Sequence, residues 1–386
     1  MSTGKGITEH QTLSLWQQIC LITSTLIGVG VLTLPRATSS KLFEAGWVVP
    51  IIGSVGAFFS LWLIARLSRR FPGKTFIEYS QIVWGSVKWP QLGRWLSIPW
   101  IMIYLLYMYL STGIASRLFG EVVVTSVLLN TPIEVIIITM FMLALVLCWH
   151  EVEVVARVNE LLFPLILLPL LFIALASFQK AEWSNLLPIF RGTPRSVIEG
   201  VYEGIYSYSG FEIMFMFFAY AHKNTKKEVA GFYGILIALV IYTLIVGASI
   251  SVFGYEELQR VTWPTLELVK TTQVPGLILE RMESAFLAVW VAAVFTTVAN
   301  AYYVVVYGLR QLFHKDITFQ RVIATVLLVP MFFFALWPQN IVEIFSVTSY
   351  LGLSSLVINL AIPIIYWVVI LLKDWMFKPE RRNVDG

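Results

Sequence analysis

Charge is scarce in this chain. Asp, Glu, Lys and Arg make up 13% of its 386 residues, roughly half of the ~25% carried by soluble domains. Hydrophobic residues supply 58%, and mean hydropathy is +0.78. A deficit this deep excludes a soluble globule, because the apolar runs follow one another at lengths suited to crossing a bilayer. Cysteine is nearly missing too. Cys20 and Cys148 each sit alone in an apolar run, without the spacing of a disulfide framework or a thiolate metal site. The four histidines, His10, His150, His222 and His314, fall at segment ends or in the polar amino terminus and are not spaced as ligands.

Enzyme signatures are absent as well. No Gly-rich loop ends in Lys-Ser or Lys-Thr, so the chain carries no motif for ATP-driven pumping. There is no nucleophile elbow and no His-Glu-x-x-His pattern. Gly28-Val29-Gly30 matches only the opening of a dinucleotide fingerprint and has no strand before it. Neither catalysis nor a cofactor is expected. The formal charge of +4 reflects the basic loops of a membrane protein rather than nucleic-acid binding. No small-residue cleavage site follows the first apolar run, so that run is expected to stay in the protein.

What is present is a series of ten apolar segments, at about 12–34, 45–67, 96–119, 133–149, 158–178, 200–220, 229–254, 284–312, 319–337 and 341–373. They predict an all-α integral membrane protein with ten transmembrane helices in one domain, 1–386. With the amino terminus inside, 18 of the 27 basic residues fall in inner segments and 9 in outer ones. A two-to-one bias over short loops places both termini in the cytoplasm. The even count divides into two five-helix repeats of opposite topology, about 12–178 and 200–373, so segment one corresponds to segment six.

Those two segments share an interruption. The first holds Gly28-Val29-Gly30 at its centre, and the sixth holds Ser209-Gly210-Phe211-Glu212. A helix in lipid must satisfy its own backbone, so a break at mid-depth survives only where protein or a cavity meets the freed groups. Breaks at matching places in two inverted repeats mark a small-molecule site between them. The expected architecture is a LeuT-type 5+5 inverted repeat with helices 1 and 6 broken at mid-membrane.

The candidate ligand-binding residues follow from these breaks. Gly28, Val29 and Gly30 let the backbone leave helical geometry, and amides from Val31 onward can face an anionic group. Thr23, Ser24 and Thr25 precede the break and offer hydroxyls. The same glycines also suit simple close packing of helices. Ser207, Ser209, Gly210 and Phe211 form the matching region of segment six. Glu212 stands in an otherwise apolar run, where a carboxylate costs on the order of 2.5–3.5 kcal/mol and needs a cavity or a partner. It can bind an ammonium group, carry a proton, or tie helix six to a neighbour. Glu203, nearer the outer surface, is a gate candidate. Tyr104 and Tyr107 on segment three and Trp290 on segment eight can line a pocket or serve as packing. Thr296 and Thr297 can help hold Na⁺ with carbonyls of the broken first helix, or bond back to their own helix. The polar stretch 255–282 can cover the outward entrance or dock a partner.

The run Arg70–Ser80, RFPGKTFIEYS, resembles a signature of the B subunits of bacterial spore germination receptors. Further similar stretches are Gly28–Pro35, Glu151–Pro164 and Asn185–Pro188. The resemblance implies the amino acid–polyamine–organocation transporter superfamily and the inner membrane of the endospore. It implies assembly with an A subunit and a lipoprotein C subunit, and recognition of a small nutrient germinant, commonly an amino acid. Some proton-coupled relatives use a Lys in helix five, and 157–179 here contains none. That departure favours a sensor over the alternative, a proton- or sodium-coupled amino-acid permease.

Overall fold

The computed structural model describes residues 12–85, 90–188, 193–222, 225–271 and 282–377. Lys5, Lys88, Lys223, Lys378, Arg381 and Arg382, which contributed to the orientation bias, lie outside the described residues, as does 272–281 of the long outer stretch. The described chain is helical, apart from an isolated bridge between Leu13 and Ala221.

The first apolar segment is two helices. α1 (Leu15–Leu26) starts at a capping box, in which Ser14 and Gln17 exchange side chain–backbone bonds and so satisfy free amides of the first turn. α2 (Gly30–Leu42) follows after three residues. A 3₁₀ turn (Phe43–Val48) leads into α3 (Val49–Arg70). The stretch RFPGKTFIEYS bends at Gly73, whose φ of 70° is left-handed, and enters α4 (Phe76–Trp84) through a second capping box, Thr75 with Glu78. There follow α5 (Pro90–Ser126), α6 (Ile133–Cys148) and α7 (Val152–Ser177).

The second half opens with α8 (Pro194–Ser207), a 3₁₀ turn (Phe211–Ile213) and the short α9 (Met214–Phe217). Then come α10 (Lys227–Leu258), α11 (Pro264–Thr271), α12 (Met282–Leu312) and α13 (Ile317–Leu336). α14 (Ile341–Leu356) passes through a π-helical turn (Val357–Ala361) into α15 (Ile362–Phe377).

Seven helical stretches among the described residues are long and apolar enough to cross a membrane: Gly30–Arg70, Gln91–Ser126, Val152–Lys180, Lys227–Leu258, Glu283–Leu312, Ile317–Leu336 and Ile341–Met376. The chain is a multi-pass membrane protein. Ile133–Cys148 and Phe211–Tyr220 are apolar but shorter. At 1.5 Å per residue the 16 residues of α6 reach about 24 Å, below the ~30 Å of a hydrocarbon core. The first and sixth expected segments lose length because each is divided.

α1 lies inside against α7, α10 and α12, and α8 packs on α2 and α3 and leads into the buried α9. α3 and α8 approach most closely at Gly53 and Gly204, where a Cβ on Gly53 would run into the Gly204 backbone. Gly204→Val should therefore destabilise the fold by about 1–3 kcal/mol, the range for forced overpacking. The readout is the melting temperature of the purified protein in detergent; an unchanged value would show that α3 and α8 do not depend on this contact.

Candidate functional site

α1 stops because Ile27 leaves helical geometry, at φ −82° and ψ 70°. Its last carbonyls then lack partners within the helix, and neighbouring side chains supply them. Thr23 O accepts Ile27 N–H at 2.9 Å. Ser24 O accepts the Thr296 hydroxyl at 3.0 Å, and Thr25 O the Thr297 hydroxyl at 3.0 Å. Leu26 O accepts the Tyr242 hydroxyl at 2.6 Å, and Gly28 O accepts Trp290 Nε1 at 3.2 Å. Two helices, α10 and α12, thus stand in for the turn that α1 does not make.

The two glycines of this break differ. A Cβ on Gly28 would overlap the Thr297 hydroxyl, whereas one on Gly30 would meet nothing within 4 Å. Gly28 is needed for close approach. Gly30 faces open space.

In the second break α8 ends at Ser207, and Gly210 adopts φ 132°, ψ −30°, a region that disfavours residues with a Cβ. A Cβ there would sit 3.1 Å from Thr25 O, so the two breaks touch. Glu212 folds back and accepts the Gly210 amide on Oε2 at 2.7 Å. Tyr104 donates its hydroxyl to the Glu212 carbonyl at 3.0 Å.

A cavity of about 180 Å³ lies against both breaks. Of the residues anticipated from sequence, Gly28, Val29, Gly30, Tyr107, Glu203, Ser207, Ser209, Gly210, Glu212 and Thr297 line it. Six do not. Thr23 turns to α10 and donates to Gly234 O at 3.1 Å. Ser24 faces α7 and bonds Asn159 Oδ1 at 2.5 Å. Tyr104 and Phe211 are buried in the apolar core, Tyr104 with its ring beside Phe76 and Phe215. Trp290 and Thr296 serve the α1 carbonyls as described. These six support the wall from behind.

Thr25, whose hydroxyl the sequence offered to the break, lines the cavity; sequence reading missed Met108, Ser111, Thr112 and Ala115 on α5, Tyr206 on α8 and Tyr242 on α10. A signal existed for α5, since Tyr107, Ser111, Ala115 and Leu118 recur at helical spacing with small side chains facing one way. It also missed the buried amide pair beneath α1. Asn159 and Asn300 exchange two bonds of 2.8 Å each, and Asn300 adds one to Thr25 Oγ1 at 2.8 Å. This pair ties α1 to α7 and α12.

Among the described residues no group of three or more His, Cys, Asp or Glu could hold a metal ion. Thr296 and Thr297, the Na⁺ candidates, donate to carbonyls of α1 and also to Ala293 O at 2.8 and 3.2 Å.

Two interrupted helices in contact beside a cavity define a LeuT-type transporter fold. Solved structures share it: the chain superposes with a TM-score of 0.67 on MHP1, a nucleobase-cation-symport-1 family transporter in a closed conformation with bromovinylhydantoin bound, at 13% identity over 92% of this chain and 78% of that one. MhsT in complex with L-phenylalanine gives 0.61, at 11% identity over 92% and 97%. The family described as Spore germination protein matches residues 12–344, and the chain belongs to it. Spore germination protein B2 of Bacillus subtilis (strain 168) is 28% identical over 97% of this chain and 98% of its own length. YndE of the same organism is 29% identical over 95% and 97%.

The contrast between the glycines is testable. Gly28→Ala should cost about 1–3 kcal/mol of stability through overlap with Thr297, while Gly30→Ala should leave the melting temperature within about 1 °C of the parent, since an added methyl there meets no neighbour. Equal effects would contradict the distinct surroundings assigned to them.

Proposed function

We propose that this chain is the germinant-sensing membrane subunit of a spore germination receptor, and that it binds a small nutrient, an amino acid by class, in the cavity between its two interrupted helices. The single observation that carries this reading is the contact of Gly210 with Thr25 O beside a cavity onto which Gly30 opens. A break in one lipid-buried helix is costly; two that meet at a cavity have a ligand site as their natural purpose. The relatives are named for spore germination, and the MhsT structure holds an amino acid, which supports the ligand class.

The finer architecture belongs to the same proposal. Counting α1–α2 as one interrupted crossing, α8–α9 as another and α14–α15 as one gives ten crossings with α3, α5, α6, α7, α10, α12 and α13. They divide into repeats of about 12–178 and 200–373 within a single transmembrane domain. Both termini are cytoplasmic, the membrane is the inner membrane of the spore, and an A subunit and a lipoprotein C subunit complete the receptor. Glu203, which lines the cavity beside the Lys41–Glu199 pair of 3.4 Å that joins α2 to α8, is the outer gate. Ligand binding favours one arrangement of the bundle by its differential affinity for two states, and the partner subunits read the change.

Gly30→Leu tests the site, because Gly30 lines the cavity and a Cβ there meets nothing within 4 Å. Spores carrying it should need at least about tenfold more nutrient for half-maximal germination, equivalent to about 1.4 kcal/mol, with the subunit present at normal level. Unchanged nutrient sensitivity would overturn the site. Flux of labelled amino acid through the purified chain in liposomes under an ion gradient would instead establish the coupled permease.

A further inference from the structure

One buried carboxyl in the cavity wall has surroundings that the glycine breaks do not require. Glu212 is 1% exposed and lines the cavity. It takes part in none of the ion pairs among the described residues. The Gly210 amide donates to its Oε2 at 2.7 Å, and Tyr107 and Ser209 line the cavity with it. A donor of this kind holds a carboxylate in one orientation.

Asn359 arrives at the same break by an unusual route. It lies in the π-helical turn Val357–Ala361 between α14 and α15, is 1% exposed, and reaches Ser209 Oγ at 3.5 Å. Its Oδ1 is buried without a partner. A π turn adds a residue to one turn of helix at a cost in hydrogen-bond geometry, and such turns recur where a side chain must be presented to a site. Here the turn delivers an amide to the second break from a helix outside both breaks.

We propose that Glu212, oriented by the Gly210 amide, is the receptor for the ammonium group of the ligand, with Asn359, which bonds Ser209 of the same break, a positioning residue. This rests on the reading of the cavity as the ligand site and adds to it the side chain that recognises the ligand's amino group. Buried charge in lipid is borne only when it is paired, and among the described residues no Lys, Arg or His forms an ion pair with Glu212, so the ligand is assigned the positive charge. Ligands of this class are small primary amines with a polar or apolar tail, α-amino acids among them. Neutral sugars and des-amino acids lack the required charge.

The test uses the full chain in lipid nanodiscs, titrated with L-alanine, L-valine and L-phenylalanine and with their des-amino counterparts propionate, 3-methylbutanoate and 3-phenylpropionate. The parent should bind at least one amino acid at least about tenfold more tightly than its counterpart, a difference of about 1.4 kcal/mol. Glu212→Gln should reduce that preference to within about threefold, at an unchanged melting temperature. Asn359→Ala should lower the same preference while Asn359→Gln partly restores it, which a purely structural role would not do. If Gly30→Leu abolishes binding but Glu212→Gln keeps the parental preference, the ammonium assignment fails and the cavity stands. If Gly30→Leu leaves binding intact, the cavity reading fails first and this one with it. A parent that binds none of the three amino acids, or binds the des-amino acids equally well, also overturns the proposal.

Discussion

Everything in this structure follows from the need to satisfy backbone carbonyls where no water reaches them. An unpaired peptide group in hydrocarbon costs several kcal/mol, and the carbonyls of Ser24, Thr25 and Leu26 at the end of α1 and of Gly28 in the break find donors on neighbouring helices. The answer is local and specific: Thr296, Thr297 and Trp290 from α12 and Tyr242 from α10 donate to residues 24–28. Those bonds fix where α1 stops, and the stop leaves the amide end of α2 exposed at Gly30. The cavity is the space left between a helix that must end and a helix that must begin.

The same bonds explain which residues surround the cavity and which stand behind it. Trp290 and Thr296 are committed to carbonyls, and Ser24 is committed to Asn159. A polar side chain bonded in this way holds the wall in place rather than facing the ligand. The amide pair Asn159–Asn300 extends the support to α7, so α1 is held by α7, α10 and α12 below the break. A network in which every member is bonded rigidifies its site, and its low-dielectric surroundings make partial satisfaction costly. The half of helix one before the break is thus held by side-chain hydrogen bonds from three helices, while the half beyond Gly30 is held by packing of its buried residues, by the Thr265 hydroxyl donating to Val31 O at 2.7 Å and by the solvent-screened Lys41–Glu199 pair, which contributes little.

Much of this was legible in the residues. Long apolar runs gave the helical membrane class, and the glycines at 28, 30 and 210 fall where helical stretches end or start, at Leu26, Gly30 and Phe211. The role of each hydroxyl was not legible. Thr23, Ser24, Thr25, Thr296 and Thr297 look alike in sequence, yet Thr23 bonds α10, Ser24 bonds α7, and Thr25 and Thr297 reach the cavity. Which way each side chain points depends on the helix that packs against it, over separations of more than 100 residues. The π turn at Asn359 was invisible for a related reason, since a one-residue register shift leaves no mark in a run that stays apolar on both sides.

The position of the RFPGKTFIEYS stretch shows how a signature can lie away from a ligand site and still serve it. Phe76 on α4 packs against Tyr104, Phe215 and Tyr366, with ring centroids 5.1, 4.9 and 5.4 Å away. Tyr104 in turn holds the Glu212 carbonyl, and Tyr366 bonds Ser80 on α4. At the other end of the stretch Thr75 bonds Gln311 on α12 at 2.5 Å. One short helix at the end of the bundle therefore touches the second break through one tyrosine and the last turns of α12 through its cap. Tyr104 thus joins the Glu212 carbonyl to the Phe76 ring on α4 in one packed chain of contacts. The residues that display family membership most plainly are the base on which the second break rests.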